Sequence, residues 1–378
     1  MPNKKLFIVL NVDYFLLSHR KELSVAAKYH GYDVTVIALD TGKKNEIENL
    51  GLRFRNFPIN RNIANPLKEL KSFLFILSIY MKEKPAIVHH VGLKVVLMGG
   101  LAAKLAKIRG VVNAISGLGI TFSDENIKSV STKLYLRLLK FSHSRKNIKV
   151  IFQNHEDKSI FINNKVIAES QSETIKGSGI DLDEFNYTPE PSGGKIKIVF
   201  SARMIAEKGV FELIQAANLL KSQYKSKIQF LLCGGIDINP KAISKKELNT
   251  LCDGEYIVWL GYRTDVKEII KNSHIFAFPS YYMEGLPKSL IEAAAIGKPI
   301  VTTDSIGCKD VVKDGYNGFL IPTKDSTSLA DCLKELIDNK ELRKQFGLNS
   351  RKIAERDFSI KDVVSKHLSI YSSLNSNF

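Results

Sequence analysis

Short apolar runs rich in β-branched and aromatic residues alternate with helical patterns along the whole chain, and this alternation constrains the fold most. Strands separated by helices pair in parallel, because each helix returns the chain to the same edge of the sheet. The pattern therefore predicts an α/β protein whose ligands bind beyond the carboxyl ends of the strands. The runs that predict strands are residues 5–10, 33–38, 86–90, 111–115, 149–152, 195–201, 229–233, 257–260, 275–279 and 299–303.

The length of the chain favours two domains. Its 378 residues exceed the roughly 250 to 300 residues at which a single hydrophobic core stops growing. A loop-like stretch with Pro189, Pro191, Gly193 and Gly194 interrupts the strand series near the middle. We expect one doubly wound α/β domain over residues 1–188 and a second over residues 195–358.

Composition excludes several classes of protein. The apolar fraction of 44% and the charged fraction of 25% are those of an ordinary globular protein. The four cysteines contain no CxxC pair, which argues against a zinc ribbon or a disulfide framework and favours reduced thiols in the cytoplasm. The apolar run at residues 73–81 is about half of the roughly 20 residues that a spanning helix needs. The run at residues 6–10 is too short for a signal peptide.

Positive charge is concentrated in the N-terminal half. The net charge is +16, and residues 43–149 carry 20 Lys and Arg against 6 Asp and Glu. Such a field attracts nucleic acid, a phosphorylated substrate or an anionic bilayer. Ordinary solvated surface is the alternative, and charge alone does not choose among them.

Two predicted helices in this half are candidates for a membrane-facing surface. Residues 66–81 and 131–144 both place apolar side chains at helical spacing, and the second adds a basic stripe. Packing of both apolar faces into the domain core is the alternative. The apolar positions are Leu67, Leu70, Phe73, Leu74, Leu77 and Met81 in the first helix and Leu134, Leu138 and Phe141 in the second; the basic stripe is Lys133, Arg137 and Lys140.

The segment SYYMEGLPKSLIEAAAIGKPI at residues 280–300 carries the densest chemical signal. A strand, a glycine-containing loop and a helix that begins near Pro287 predict an anion site, because free backbone N–H groups and the helix dipole face the loop. Glu284 and Glu292, eight residues apart, provide carboxylates that accept hydrogen bonds from sugar hydroxyls. The arrangement suits an extended ligand with a diphosphate between two groups of hydroxyls.

This stretch resembles the E-x7-E signature of the retaining family-4 glycosyltransferases, which have the GT-B fold and act in bacterial polysaccharide, O-antigen and capsule synthesis. Further motifs that resemble the family follow in its order: SARMIAEKG, LLCGG, WLGYRTDV and GCKDVVKDGYNGFLIP, with looser matches in NVDYFLLSHR, IVHHVG and GSGIDLDEF.

The resemblance implies two Rossmann-like domains that face a central cleft, with the acceptor held by the first and the nucleotide sugar by the second. It also implies that a C-terminal helix within residues 360–378 packs back on the first domain. The implied reaction moves a hexose or N-acetylhexosamine from a nucleotide-diphosphate donor to a polyprenyl-linked glycan. We expect the donor to be UDP-linked. No cofactor or metal is expected. The implied location is the inner face of the plasma membrane, on anionic lipid and without nucleic acid.

The family's roles transfer to matching positions of this sequence. Arg203, Lys208 and Glu284 are the implied catalytic residues, the two cations neutralising the departing diphosphate and Glu284 holding the donor sugar. The implied donor-binding residues are Gly234, Tyr262, Arg263, Gly285, Leu286, Pro287, Lys288 and Glu292, of which Glu292 binds the ribose.

The acceptor or sugar pocket is expected in the loops that follow the first-domain strands. Its candidates are Asn11, His19, Arg20, His90, Ser116 and Gly117. Several relatives have a histidine where this chain has Ser116, so either His90 or Ser116 closes the sugar pocket. A buried structural role for His90 is equally consistent with the sequence.

Other functions remain as alternatives. A sugar-nucleotide epimerase or hydrolase of the same fold, or a basic nucleic-acid-binding protein, fits part of the pattern. A dehydrogenase is disfavoured because NVDYFLLS stands where GxGxxG would open the first βα unit. A metal site at Asp181 and Asp183 is disfavoured because this DxD does not end a core strand, and His89 and His90 lack zinc-binding spacing.

Overall fold

A computed structural model of the chain describes residues 4–59, 66–119, 122, 129–237 and 242–376. The chain divides into two compact units. Unit 1 comprises Met1–Gly179 and Ile360–Phe378, and unit 2 comprises Ile180–Ser359.

Unit 1 is a parallel sheet covered by helices on both faces. Its strands are β1 (Lys5–Val12), β2 (Asp33–Leu39), β3 (Arg53–Asn56), β4 (Ile87–Val91), β5 (Gly110–Ile115), β6 (Ile148–Phe152) and β7 (Ser172–Thr174). Its helices are α1 (Asp13–His19), α2 (Lys21–Tyr29), α3 (Lys44–Asn49), α4 (Pro66–Glu83), α5 (Leu93–Leu105), α6 (Val130–His143), α7 (His155–Asn163) and, from the end of the chain, α14 (Ile360–Ser376).

Side-chain alternation along β1 shows why both faces of this sheet must be covered. Among the described residues the strand order is β3-β2-β1-β4-β5-β6-β7. Phe7 and Val9 of β1 pack into one core, with side chains of α4, α5 and α6. Leu6 and Ile8 pack into the opposite core, with side chains of α2 and α14. All four side chains are fully buried, as expected for the central strand of a parallel sheet.

Unit 2 repeats the architecture with one strand fewer among the described residues. Its strands are β8 (Ile196–Ser201), β9 (Ile228–Cys233), β10 (Ile257–Gly261), β11 (Ile275–Phe278), β12 (Ile300–Thr303) and β13 (Gly318–Ile321), in the order β10-β9-β8-β11-β12-β13. Its helices are α8 (Val210–Tyr224), α9 (Lys245–Leu251), α10 (Val266–Lys271), α11 (Lys288–Ile296), α12 (Ser326–Asp338) and α13 (Lys340–Asp357).

The two α/β units agree with the predicted fold class, but the boundary between them differs from the predicted one. We expected the first domain to end at residue 188 and the second to begin at residue 195. Instead the chain enters unit 2 at Ile180, whose N–H donates to Phe358 O at 2.8 Å. Thr188 N donates to Ile296 O at 2.9 Å, and Arg351 donates to Phe185 O at 2.7 Å. Backbone hydrogen bonds therefore attach this segment to unit 2 before the Pro- and Gly-rich stretch begins.

The C-terminal helix α14 lies in unit 1, as expected. Tyr371 is fully buried against the sheet, and its hydroxyl is 2.6 Å from His89 Nδ1 in β4. Within the described part of the chain, no helix combines the length and the apolar character needed to cross a membrane.

Candidate active site

The predicted donor residues follow neighbouring strands of unit 2. Arg203 and Lys208 come after β8, Gly234 after β9, Tyr262 after β10 and Glu284 after β11. Because all these strands are parallel, the loops that follow them gather at one edge of the sheet. The structure thus brings residues from four of the sequence motifs to a single edge.

Lys208 and Glu284 form an ion pair at this edge. Lys208 Nζ donates to Glu284 Oε1, and both side chains are largely buried. Lys208 Nζ also lies 5.4 Å from the ring centroid of Phe278 and 5.5 Å from that of Tyr282. A cation enclosed by a carboxylate and two aromatic faces has few rotamers, so its charge is held in a fixed place.

The loop that carries Glu284 is fastened to the turn that carries Lys208. Glu207 O accepts hydrogen bonds from Tyr281 N at 3.0 Å, Tyr282 N at 3.1 Å and Ser280 Oγ at 3.2 Å. Gly209 follows with φ +81°, and any Cβ there would collide with Pro279 O. Only glycine permits this approach, which fixes the spacing between Lys208 and the strand end.

The backbone at Glu284 and Gly285 packs against Gly307. A Cβ on Gly307 would lie 2.5 Å from Gly285 O and 2.8 Å from Glu284 O, so this position also requires glycine. The neighbouring Cys308 is buried, and burial raises the pKa of its thiol to about 11. The thiol therefore stays protonated and is a packing group rather than a nucleophile.

Glu292 lies on α11, which begins at Lys288 directly after Pro287. Lys288 Nζ is 3.8 Å from Glu292 Oε1. Burial raises the pKa of the Glu292 carboxyl, the positive charge of Lys288 opposes this shift, and the negative charge of Glu184 adds to it. Leu286, in the loop before α11, is buried in the core of unit 2. Glu284 thus lies in the loop before α11, and Glu292 lies in the middle of that helix.

Arg203 lies in the same loop as Lys208, directly after β8. Its Nη1 lies 2.5 Å from Asp237 Oδ2, and the guanidinium is about half exposed. The Asp237 side chain is only 12% exposed, so the accessible member of the pair is Arg203. Its half-exposed guanidinium is the part of this pair that a ligand phosphate could reach.

Three further residues predicted to bind the donor, Gly234, Tyr262 and Arg263, follow β9 and β10. Gly234 is held between Gly261 O, which accepts its N–H at 2.8 Å, and Trp259 Nε1, which donates to its carbonyl at 2.9 Å. Tyr262 is exposed, with its side chain beside Gly235. Arg263 forms two hydrogen bonds to Asp265, at 2.8 and 2.6 Å. Tyr262 offers a flat ring, whereas the charge of Arg263 is already paired.

In unit 1, two of the predicted pocket residues carry a buried side-chain oxygen without a hydrogen-bond partner in the described structure. These atoms are Asn11 Oδ1, near the end of β1, and Ser116 Oγ, directly after β5. Gly117 continues the loop with φ +99°. A buried oxygen without a partner is costly, so both oxygens are candidates for hydrogen bonds to a ligand hydroxyl.

His19 and Arg20, two candidates for the acceptor or sugar pocket, are both engaged with neighbouring protein groups or buried. The His19 ring stacks on Phe15 at 4.1 Å and lies 2.6 Å from Ser18 Oγ. Arg20 is only 3% exposed, and burial lowers the pKa of its guanidinium to about 10. Arg20 lies between α1 and α2, and the sequence could not show that its side chain turns into the core.

His90 occupies the interior of unit 1 and not a sugar pocket. Its Nε2 lies 2.8 Å from Tyr80 Oη and its Nδ1 lies 2.7 Å from Asn113 Oδ1, so both ring nitrogens have partners. Asn113 Nδ2 continues the chain to His143 Nε2 at 2.9 Å. Of the two candidates, Ser116 alone retains an unpartnered polar atom.

Sequence reasoning missed Asp13, which orders the loops at this edge of unit 1. Its buried carboxylate accepts hydrogen bonds from Thr41 N at 2.6 Å, Lys43 N at 3.0 Å and Tyr14 N at 2.7 Å. Burial tends to raise the pKa of Asp13, but these hydrogen bonds outweigh it and lower the pKa. The sequence signal that could have identified Asp13 is its position directly after an apolar strand.

The DxD motif serves a local structural purpose. Asp181 Oδ1 accepts hydrogen bonds from Asp183 N at 2.9 Å and Glu184 N at 3.0 Å, which closes a tight turn. This Asp181 oxygen is therefore already engaged by the backbone.

Comparison with known proteins agrees with this geometry. Residues 183–353 match the family model "Glycosyl transferases group 1", and residues 5–154 match "Glycosyl transferase 4-like". The chain is 29% identical over 95% of its length to the N,N'-diacetylbacillosaminyl-diphospho-undecaprenol alpha-1,3-N-acetylgalactosaminyltransferase of Campylobacter jejuni, covering 96% of that protein. It is 27% identical over 99% of its length to the capsular polysaccharide biosynthesis glycosyltransferase CapM of Staphylococcus aureus, covering 98% of it.

A solved structure shares the fold of the full chain. The Anabaena protein HepE in complex with UDP superposes with a TM-score of 0.78 at 18% identity, covering 98% of this chain and 100% of that one. Fold, strand-edge site and family matches together define a glycosyltransferase of the GT-B fold. Within that class, the C-terminal half is similar to the glycosyl transferases of group 1 and the N-terminal half to the family-4-like glycosyl transferases.

Proposed function

We propose that this glycosyltransferase moves a hexose or N-acetylhexosamine from a UDP-linked donor, with retention, to a polyprenyl-linked glycan during bacterial surface polysaccharide synthesis. The observation that carries the proposal is the Lys208–Glu284 pair, which joins the loop after β8, where Arg203 also lies, to the loop that leads into α11, the helix of Glu292. Cations for a diphosphate lie there beside carboxylates for hydroxyl groups.

A UDP-linked donor is supported by the geometry and by one neighbour. We propose that Glu292, in the middle of α11, binds the ribose hydroxyls and that Glu284 and the N–H groups of Gly285 and Leu286 bind the sugar. Tyr262 offers an exposed ring for a base. The structural neighbour HepE was solved with UDP bound.

The acceptor is proposed from the relatives. The Campylobacter enzyme, by its name, acts on a diphospho-undecaprenol-linked sugar, and CapM is named for capsular polysaccharide biosynthesis. In this chain, Asn11 Oδ1 and Ser116 Oγ are the unpartnered oxygens that suit hydroxyl groups of a glycan.

The chemistry requires charge stabilisation more than a nucleophile. The bond from the anomeric carbon to the diphosphate oxygen breaks, and a bond from that carbon to an acceptor hydroxyl oxygen forms. The hydroxyl proton passes to the departing diphosphate. Arg203 and Lys208 stabilise the negative charge that develops on this group. We propose that they do so without a metal ion.

The donor assignment is tested by turnover with a panel of sugar nucleotides. Arg203→Ala and Lys208→Ala should each lower the transfer rate on the order of 100-fold, as removal of one preorganised charge does elsewhere. Lys225→Ala, an exposed lysine at the end of α8, is the matched control and should retain activity.

EDTA should leave the rate unchanged. Loss of activity in EDTA, followed by its recovery when Mg²⁺ or Mn²⁺ is added, would overturn the metal-free mechanism. Release of free sugar without transfer, or epimerised donor, would point instead to a hydrolase or epimerase.

Location on an anionic membrane surface at the inner face of the plasma membrane is part of the proposal. On α6, Leu134, Leu138 and Phe141 are exposed, while Leu139 is buried and Tyr135 Oη donates to Leu93 O of α5 at 2.9 Å. The helix thus packs with one side and leaves its apolar stripe uncovered within the described structure. The exposed basic residues Lys133, Arg137 and Lys140 lie beside this stripe. An apolar stripe edged by cations suits the surface of an anionic bilayer.

Vesicle sedimentation tests this location. The protein should pellet with phosphatidylglycerol vesicles at low salt and be released at high salt, because each basic residue near the surface contributes about 1 kcal/mol. Changing Lys133, Arg137 and Lys140 together to glutamate should abolish binding. The same charge change at Lys340, Lys344 and Lys352 on α13 of unit 2 is the control. Equal binding to neutral vesicles, or an unaffected α6 variant, would return α6 to an ordinary surface role.

A further inference from the structure

Two tyrosines stand side by side in the loop that carries Glu284, and their rings lie near different cations. The Tyr281 ring centroid lies 4.9 Å from Nζ of Lys324, which follows β13. The Tyr282 ring centroid lies 5.5 Å from Nζ of Lys208, the cation of the largely buried ion pair. The sequence motifs assign a role to Glu284 but to neither tyrosine. Tyr282 therefore adjoins the predicted diphosphate site without an assigned role.

The backbone of this loop holds Tyr282 in place. Tyr282 N donates to Glu207 O at 3.1 Å and to Ser280 Oγ at 3.3 Å. Ser280 Oγ itself donates to Glu207 O at 3.2 Å. The side chain of Tyr282 is half-buried, with its ring beside Lys208. Backbone and ring contacts together limit the positions that the hydroxyl can reach.

The hydroxyl of Tyr282 is a hydrogen-bond donor that the protein leaves unused. Within the described part of the chain, Tyr282 bonds through its backbone N–H and its ring, and its Oη makes no hydrogen bond. Burial raises the pKa of this hydroxyl above its ordinary value, and the charge of Glu284 adds to the shift. The positive charge of Arg203 opposes the shift, whereas Glu207 and Asp237 strengthen it. The phenol therefore keeps its proton at neutral pH and can donate a hydrogen bond.

Each cation predicted to bind the diphosphate already has a carboxylate partner. Lys208 pairs with Glu284, and Arg203 pairs with Asp237. A diphosphate that approaches these pairs meets two carboxylates together with the two cations. A neutral hydroxyl beside the pairs can donate to phosphate oxygens without bringing a further charge into the site. Tyr282 is placed to do this, because its hydroxyl interacts electrostatically with members of both pairs.

We infer that Tyr282 is a further donor-binding residue, whose hydroxyl donates a hydrogen bond to an oxygen of the donor's diphosphate. The inference rests on the proposed function and adds an uncharged donor to the cations Arg203 and Lys208. As the bond from the anomeric carbon to the diphosphate oxygen breaks, negative charge grows on the diphosphate and the hydrogen bond from Tyr282 strengthens. The phenol keeps its proton throughout, since the diphosphate takes its proton from the acceptor hydroxyl.

A diphosphate oxygen fits this hydroxyl better than the sugar or the base of the donor. The Tyr282 ring lies beside Lys208, the cation expected at the diphosphate. A hydrogen bond from a phenol to a charged phosphate oxygen is stronger than one to a neutral sugar hydroxyl. The base is expected near Tyr262, which follows a different strand, β10. The diphosphate is therefore the part of the donor that Tyr282 contacts.

Tyr282→Phe tests this contact, because it removes the hydroxyl and keeps the ring beside Lys208. In calorimetry, the affinity of the variant for UDP should fall on the order of tenfold, as loss of a hydrogen bond to a charged group does. Its affinity for uridine, which has no phosphate, should not change. The kcat of transfer should fall on the order of 100-fold, because the bond is strongest in the transition state.

Tyr281→Phe is the matched control. It removes a hydroxyl from the neighbouring tyrosine, whose ring lies near Lys324 instead of Lys208. The UDP affinity and kcat of this variant should equal those of the unchanged protein. Both variants should keep the Tm of the unchanged protein, since each retains its ring and its backbone hydrogen bond to Glu207 O.

Three results would overturn the inference. Unchanged UDP affinity in Tyr282→Phe would exclude a contact with the diphosphate, and weaker binding of the intact UDP-sugar alone would place the hydroxyl at the sugar. Weaker uridine binding would place it at the base. A lowered Tm with equal losses in Tyr281→Phe would show that the tyrosines only hold the loop. Failure of the unchanged protein to bind UDP, GDP or ADP would contradict the proposed function and the diphosphate contact together, whereas the three results above contradict only the contact.

Discussion

The ion pair of Lys208 and Glu284 joins two residues to which the family assigns different parts of the donor. Lys208 is expected at the diphosphate and Glu284 at the sugar, yet in the structure each neutralises the other. A ligand that draws Lys208 away must leave a largely buried carboxylate without its partner, which is costly. An intact donor compensates through its sugar hydroxyls, whereas a nucleoside diphosphate does not. The pair should therefore favour the intact donor over the product.

Glu284→Gln should consequently bind free UDP more tightly than the unchanged protein, several-fold to tenfold, because Lys208 is no longer neutralised. A charge-assisted hydrogen bond contributes about 1.5 to 3 kcal/mol, which sets the range. Transfer should slow at least tenfold, since the sugar loses a charged acceptor. Calorimetry with UDP and steady-state kinetics measure the two effects. Glu207→Gln is the control. Glu207 holds the loop through its backbone carbonyl, so this change removes a nearby carboxylate and leaves those hydrogen bonds in place. Weaker UDP binding in Glu284→Gln would contradict the coupling.

At the scale of elements, every strand predicted from an apolar run exists, and the strands that were missed all lie at sheet edges. They are β3, β7 and β13. Edge strands pair on one side only and need no continuous apolar run, and β3 (RFRN) and β7 (SET) have none. The edge strand β10 was predicted because IVWLG is apolar. Hydrophobic pattern thus located the central strands of both sheets and the edge strand β10, whereas the apolar but short edge strand β13 (GFLI) was missed along with β3 and β7.

Helix α4 shows what pattern alone could not decide. Its apolar stripe was expected either to face a membrane or to fill the core. In the structure Leu67, Leu70 and Leu74 are exposed, while Ile76 and Tyr80 are buried. Two apolar faces of one helix compete for the core, and only the packing against α5 shows which is covered. The sequence showed both apolar faces of α4 but did not indicate which one is buried.

For the whole molecule, motif spacing predicted unit 2 better than unit 1. The residues of the donor motifs meet at one edge because each follows a parallel strand. The order of strands and motifs along the sequence is enough to predict this. In unit 1 the polar candidates depend on side-chain direction. Arg20 turns inward and His90 is enclosed by Tyr80 and Asn113, and neither fact has a sequence signature. The buried histidines of unit 1 should nevertheless make unit 1 lose stability in acid before unit 2.

Four buried histidines of unit 1 have a lowered pKa, mainly because burial disfavours the charged ring. The values are about 4 for His90 and His143 and about 3 for His367, and the pKa of His89 is well below its ordinary value. In the unfolded chain these rings titrate near 6.5, so below that pH the unfolded state binds more protons. The stability of unit 1 that depends on neutral histidines is fully present above about pH 6.5 and falls as the pH drops toward 4.

Each such histidine should lower the free energy of unfolding of unit 1 by about 1.4 kcal/mol for every pH unit of acidification within that window. In unit 2, His274 is the described histidine with a lowered pKa, again chiefly through burial. Hydrogen exchange resolved by peptide, at pH 7 and pH 5 and corrected for intrinsic rates, should therefore show protection lost first in β4, β5 and α14. Unit 2 of the same molecules serves as the internal control. His143→Gln should reduce the acid sensitivity of unit 1 while lowering its stability at pH 7. Equal loss of protection in both units at pH 5 would show that the buried histidines do not govern the response to acid.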